Sequence, residues 1–152
     1  MPPDMTAGFP AAAARLVAAR DSLGAKALED ALVAVPDMRD RYDELGLRTL
    51  LRDTHVMVER IAKAVASGDP TWTREWADWV SPVYRRRKVP MADVLAIWTA
   101  LGNACASMLG DDERPALDAA IGEAAAVFRY YKRFAGDAGK KNPILNAIYR
   151  GV

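Results

Sequence analysis

Apolar residues recur every three or four positions in block after block of this chain, and no stretch alternates with a period of two. Leu47, Leu50, Leu51, Val58, Ile61 and Val65 keep helical spacing. So do Val94, Leu95, Trp98, Leu101, Cys105, Met108 and Leu109. Leu117, Ile121, Ala124, Phe128 and Tyr131 fall at i, i+4, i+7, i+11 and i+14. A helix of 3.6 residues per turn gathers such positions into one stripe, whereas a half-buried strand needs strict alternation. The spacing predicts helices and no strands.

Proline and glycine punctuate the blocks. A first helix is predicted over residues 11–35, kinked near Gly24 and ended by Pro36. A short turn over 37–45 leads to Gly46, and a helix over 47–67 stops at Ser-Gly-Asp-Pro. A tryptophan-rich helix follows, capped by Thr71 or Thr73 and bent at Pro82 near its end at Arg87. Pro90 opens the next helix and Gly110 closes it. Acids in Asp-Asp-Glu-Arg-Pro favour the start of another, at the positive end of the helix dipole. Small residues such as Ala100, Gly102, Ala104, Ala120 and Ala124 let helix axes approach closely. The expected fold is all-α, a single domain of five to seven helices in a globin-like or orthogonal bundle. Residues 1–10 are expected to be disordered, 11–138 to form the helical domain, and 139–152 a basic and apolar tail. In that tail Gly-Asp-Ala-Gly-Lys-Lys-Asn-Pro, beginning at Gly136, reads as a loop.

The chain of 152 residues is 51% apolar and carries a formal net charge of +1. That size fits one domain, and that charge gives no global field to steer the protein toward nucleic acid or membrane. Residues 1–70 hold nine Lys/Arg against eleven Asp/Glu, and residues 71–152 twelve against nine. Cys105 is the one cysteine, so no internal disulfide or Cys-based metal site can form, and a reducing compartment is the natural expectation. Arg15 and Arg20 interrupt the small, apolar N-terminal stretch, which does not read as a signal peptide. No uncharged run approaches the ~20 residues of a membrane span. The expected location is the cytoplasm.

Trp72, Trp76 and Trp79 share one helix face at i, i+4 and i+7. Amphipathic helices normally bury such a face, here against the helix over 47–67 and Trp98, with Trp72 partly exposed at the helix start. The same indoles could instead grip a partner or floor a pocket formed by His55, Trp76, Trp79 and Trp98. His55 is the only histidine, at the edge of a buried stripe. It could ligate haem, which needs a single protein ligand, but a boundary histidine satisfied by a neighbour is the simpler reading, and no other metal is implied. Cys105 lies on an apolar stripe and reads as an inert thiol. No nucleophile elbow or phosphate loop is present, and no catalytic residue is assigned.

Arg85, Arg86, Arg87 and Lys88 end the tryptophan helix, where cations suit the negative end of the dipole. Four consecutive cations point all round a helix and make no flat patch, and no nucleic-acid motif accompanies them. Self-association is expected from Leu16, Leu23, Leu28 and Leu32 of the first helix and from Ile144, Ile148 and Tyr149 of the tail, with Arg85, Arg86 and Arg87 as further interaction residues. Nucleic-acid binding through Arg85–Lys88 and Lys140–Lys141 is a third, less favoured reading.

Leu-Arg-Thr-Leu-Leu-Arg-Asp-Thr-His-Val-Met-Val-Glu-Arg-Ile-Ala-Lys-Ala-Val-Ala-Ser-Gly-Asp-Pro, the tryptophan helix, and Tyr-Arg-Arg-Arg-Lys-Val-Pro-Met-Ala-Asp-Val-Leu-Ala-Ile-Trp follow one another in the middle of the chain. Together they resemble the N-terminal helical domain of stress-response regulators of the RsbT co-antagonist type. The matching positions are Tyr84, Arg86 or Arg87, Val89, Pro90, Met91, Val94, Leu95 and Trp98, within a stretch of about residues 40–135. The resemblance implies a globin-like domain without haem, often dimeric, serving signal input or protein interaction ahead of an output domain. No output domain follows here, so the chain reads as a stand-alone version or a piece of a longer protein. The expectation is a non-enzymatic sensory or interaction module that binds a signalling partner or a second copy of itself. The rival is a haem or small-molecule binder using His55.

Overall fold

The computed structural model describes residues 8–141, with side chains to residue 134. Seven helices and no strand are present among the described residues. They are α1 (Pro10–Ala18), α2 (Arg20–Ala34), α3 (Met38–Arg41), α4 (Glu44–Ser67), α5 (Thr71–Arg86), α6 (Met91–Ala106) and α7 (Arg114–Lys141). α4 is the hub, meeting α1, α2, α5, α6 and α7. α2 packs on α6, and α7 on both α5 and α6. One continuous core results, with Leu16, Leu50, Ile61, Trp98, Leu101, Leu117 and Phe128 almost wholly removed from water.

The expected first helix is two. The break falls at Ala19, whose φ of −98° and ψ of 11° leave helical geometry, and not at Gly24. Gly24 lies inside α2, where a Cβ would come within 2.2 Å of Thr54 Oγ1. Its missing side chain lets α2 approach α4 and does not bend the chain. Phe9 and Pro10, expected outside the fold, belong to it. The Phe9 amide donates to Val65 O at 2.9 Å, and Pro10 takes the first position of α1, where a missing N–H costs nothing.

Asp43 caps α4 by accepting from the Gly46 amide at 2.7 Å, and Gly68 closes that helix in the left-handed region. The threonines expected to cap α5 do not. Asp69 accepts from both the amide and the hydroxyl of Thr71, at 3.0 and 2.8 Å. Those two bonds, the backbone one foremost, hold the Asp69 carboxyl below its usual range. Thr73 is buried and donates across to Ala120 O of α7 at 2.6 Å. α5 runs on through Pro82 to Arg86. α7 also outruns its expected end. Its backbone stays helical from Arg114 to Lys141, so residues 136–141 are not a loop, and the expected boundary at 138/139 falls within a helix. The rest of the tail lies outside the described residues.

Candidate functional site

α5 decides where the tryptophans go. Its buried residues are Thr73, Trp76, Ala77, Val80, Ser81 and Tyr84. At about 100° per residue that stripe is centred well to one side of the line through Trp72, Trp76 and Trp79. Only Trp76 turns inward. It stacks on Trp98 with ring centroids 5.6 Å apart and meets Phe128 edge-on at 6.0 Å. Trp98 and Phe128 complete the cluster at 5.8 Å, joining α5, α6 and α7. The Trp98 indole N–H donates to Ile121 O at 2.9 Å, so the buried ring keeps no unmet donor.

Trp79, expected in the core or in a pocket with Trp76 and Trp98, is 68% exposed, and Trp72 is 44% exposed. The hydrophobic spacing was right and the facing was wrong, because three indoles outweigh smaller residues in any sequence-level estimate of the buried side. Thr73, Ala77 and Ser81 take the buried side instead, Thr73 bonded to Ala120 O of α7 and Ser81 bordering a cleft with Tyr131 and Phe134. Lys63 of α4 stands over the Trp72 ring, 5.5 Å from its centroid.

His55 is not brought to these rings. It lies on the side of α4 facing α2, 3.7 Å from Asp21 and in line with Gly24. Asp53, two residues earlier, faces the other way and pairs with Arg87 at 2.7 Å. His55 therefore does not share a pocket with Trp76, Trp79 and Trp98. Among the described residues no cluster of three or more His, Cys, Asp or Glu could hold a metal ion.

Leu16 and Leu23, expected on an association surface, are 0% and 6% exposed and belong to the core. α1 spends its apolar face on α4 within the same chain. The three arginines diverge. Arg87 pairs with Asp53 and lies over the Tyr84 ring at 5.2 Å. Arg85 borders a small cleft with Pro82, Val89, Met91, Tyr131 and Phe134. Arg86 points to solvent. Ile144, Ile148 and Tyr149 lie outside the described residues. Cys105 is fully buried, and burial pushes its thiol up to about 12.

Sequence reasoning missed a buried charge. Asp93, in the first turn of α6, is 0% exposed. It accepts from Arg41 Nε at 2.9 Å, from the second Arg41 nitrogen at 2.5 Å, and from Tyr42 Oη at 2.6 Å. Burial and the bond to Asp93 raise the Tyr42 phenol well above its ordinary value. This network pins the α3–α4 corner onto the start of α6. An aspartate at a helix start is an ordinary sight in a sequence, and its partners lie some fifty residues away.

Val56 was missed too. It is 39% exposed within the polar outer stripe of α4 that also carries Arg52 and Lys63. An apolar residue in a polar stripe was the available signal.

No protein-family model, no curated protein and no solved structure matches the chain. What the geometry defines is an all-helical bundle with a closed core and exposed indoles along the α4–α5 hairpin. No helix among the described residues is long and apolar enough to cross a membrane.

Proposed function

We propose that this chain is a non-enzymatic sensory or protein-interaction module of a bacterial-type signalling system, with the outer face of the α4–α5 hairpin as its partner-binding surface. The observation that carries the reading is Trp79. An indole two-thirds exposed on a well-formed helix adds little to folding and offers a large, rigid contact to another molecule. Val56 and Trp72 extend the apolar surface on the same hairpin. The interaction role implied by the resemblance to RsbT co-antagonist domains agrees with this placement. The haem reading loses support, because His55 faces α2 and the indoles do not.

Self-association belongs to the same proposal and moves to Ile144, Ile148 and Tyr149, because Leu16 and Leu23 are committed to the core. Sedimentation velocity of the full chain across the micromolar range tests it. The sedimentation coefficient is expected to rise with concentration and to return to the monomer value in Ile148→Asp. A strict monomer throughout would remove self-association from the proposal. The interaction role is tested separately through Trp79.

A further inference from the structure

The α4–α5 hairpin carries more than exposed indoles. Lys63 over Trp72 near the turn and Arg87 on Asp53 at the open end set its antiparallel register. That register brings Trp79 level with Val56 and Arg60. Arg52 and Lys63 occupy the outer side of α4, one on either side of Val56, and Arg86 lies two turns beyond Trp79 on α5. Among the described residues Arg52, Arg60 and Arg86 have no salt-bridge partner, whereas Arg20, Arg41 and Arg87 all do. Glu75 on α5 lies one turn before Trp79, and Glu59, between Val56 and Lys63 on α4, is taken up by Arg20. The surface is an apolar strip edged by uncompensated cations.

Resting on the interaction-module reading, we infer that this face docks an acidic amphipathic protein segment. Its apolar residues cover Trp72 and Trp79, and its carboxylates meet Arg52, Arg60 and Arg86. Charge complementarity sets the choice of partner. Two copies of one cationic face repel each other, so a second copy of this chain does not fit here. Helix-sized apolar anchors at i and i+7 suit a partner helix laid along the hairpin. Glu75 beside the anchor opposes a phosphate backbone but is tolerated by a peptide of mixed charge. The cations raise the association rate and choose among partners, and the indoles hold the complex.

The test is selection of a random displayed peptide library on the immobilised full chain, with Trp79→Ala and the pair Arg52→Glu/Arg60→Glu as parallel baits. Vesicles containing phosphatidylserine and an oligothymidylate serve as competing probes. The expected result is a consensus of Asp or Glu interleaved with Leu, Phe or Trp. Its affinity should fall about tenfold or more on Trp79→Ala and on the charge reversal, and weaken with added salt. Melting curves of the variants should match that of the parent. A Trp79-dependent consensus without acidic residues would overturn the partner chemistry and leave the interaction module standing. Equal enrichment on the Trp79→Ala bait would overturn the docking face itself. Absence of any enrichment, or binding confined to the vesicles or the oligothymidylate, would overturn both.

Discussion

Arg41 grips Asp93 through two nitrogens across 52 residues of sequence, with the carboxylate wholly buried and the arginine at the rim. Removing one member of such a pair strands a charge away from water. Arg41→Met should therefore cost about 3 kcal/mol. Asp93→Asn keeps the shape, leaves no orphaned carboxylate and should cost less. Urea unfolding of the two variants gives the comparison. Equal losses would mean that the charge itself matters little.

Alkaline pH should loosen the fold. Cys105 is raised from an ordinary 9.0 to about 12 by burial. Tyr42 and Tyr84 are raised above 10.0, also chiefly by burial. A raised folded value means that the contribution is complete below the unfolded value and is lost as pH climbs toward the folded one. Stability should thus hold to about pH 9 and then fall, starting with the thiol and continuing with the phenols. Cys105→Ala should blunt the first part of that decline. The native thiol should also resist alkylation at pH 8 until the protein is unfolded.

Gly24→Ala sets helix propensity against space. In an open helix the added methyl would stabilise by up to about 1 kcal/mol. Here the new Cβ lands 2.2 Å from Thr54 Oγ1 and 3.0 Å from His55 Cδ2, so α2 must back away from α4. The clash should win by about 1–3 kcal/mol. Thr54→Ala should recover part of that loss in the double variant, a coupling that thermal melts can read.

Lys88 invites the opposite result. It sits at φ 62° just past α5, while the Val89 amide donates to Tyr84 O at 2.9 Å and the Lys88 amide to Arg85 O at 3.0 Å. This is the Schellman arrangement, with lysine where glycine usually stands. Lys88→Gly should stabilise the protein by up to about 1 kcal/mol and raise the melting temperature. A drop would mean that the lysine side chain contributes something that outweighs its strained backbone.

Trp76 and Trp79, three residues apart, should behave as opposites. Trp76→Ala empties the cluster with Trp98 and Phe128 and should cost about 3–5 kcal/mol. Trp79→Ala should stay within about 0.5 kcal/mol of the parent. Chemical denaturation separates these at once, and a large loss at Trp79 would refute the exposed-anchor assignment.

Helical spacing and Pro/Gly punctuation were enough to determine an all-helical, single-domain chain, because periodicity is a local property that each segment carries alone. The C-terminal end of α4 and the starts of α5 and α6 were legible for the same reason, through Gly68, Pro70 and Pro90, whereas α4 begins at Glu44 and not Leu47, and α6 ends at Ala106 and not at Gly110. Facing and partnership were not. Whether Trp79 or Thr73 turns inward depends on how closely α7 approaches, and the small residues that permit that approach outweigh the pull of an indole toward the interior. The fates of Leu16, His55 and Asp93 were likewise settled by helices packed from distant parts of the chain. Burial is a relation between segments, and only the assembled bundle decides it.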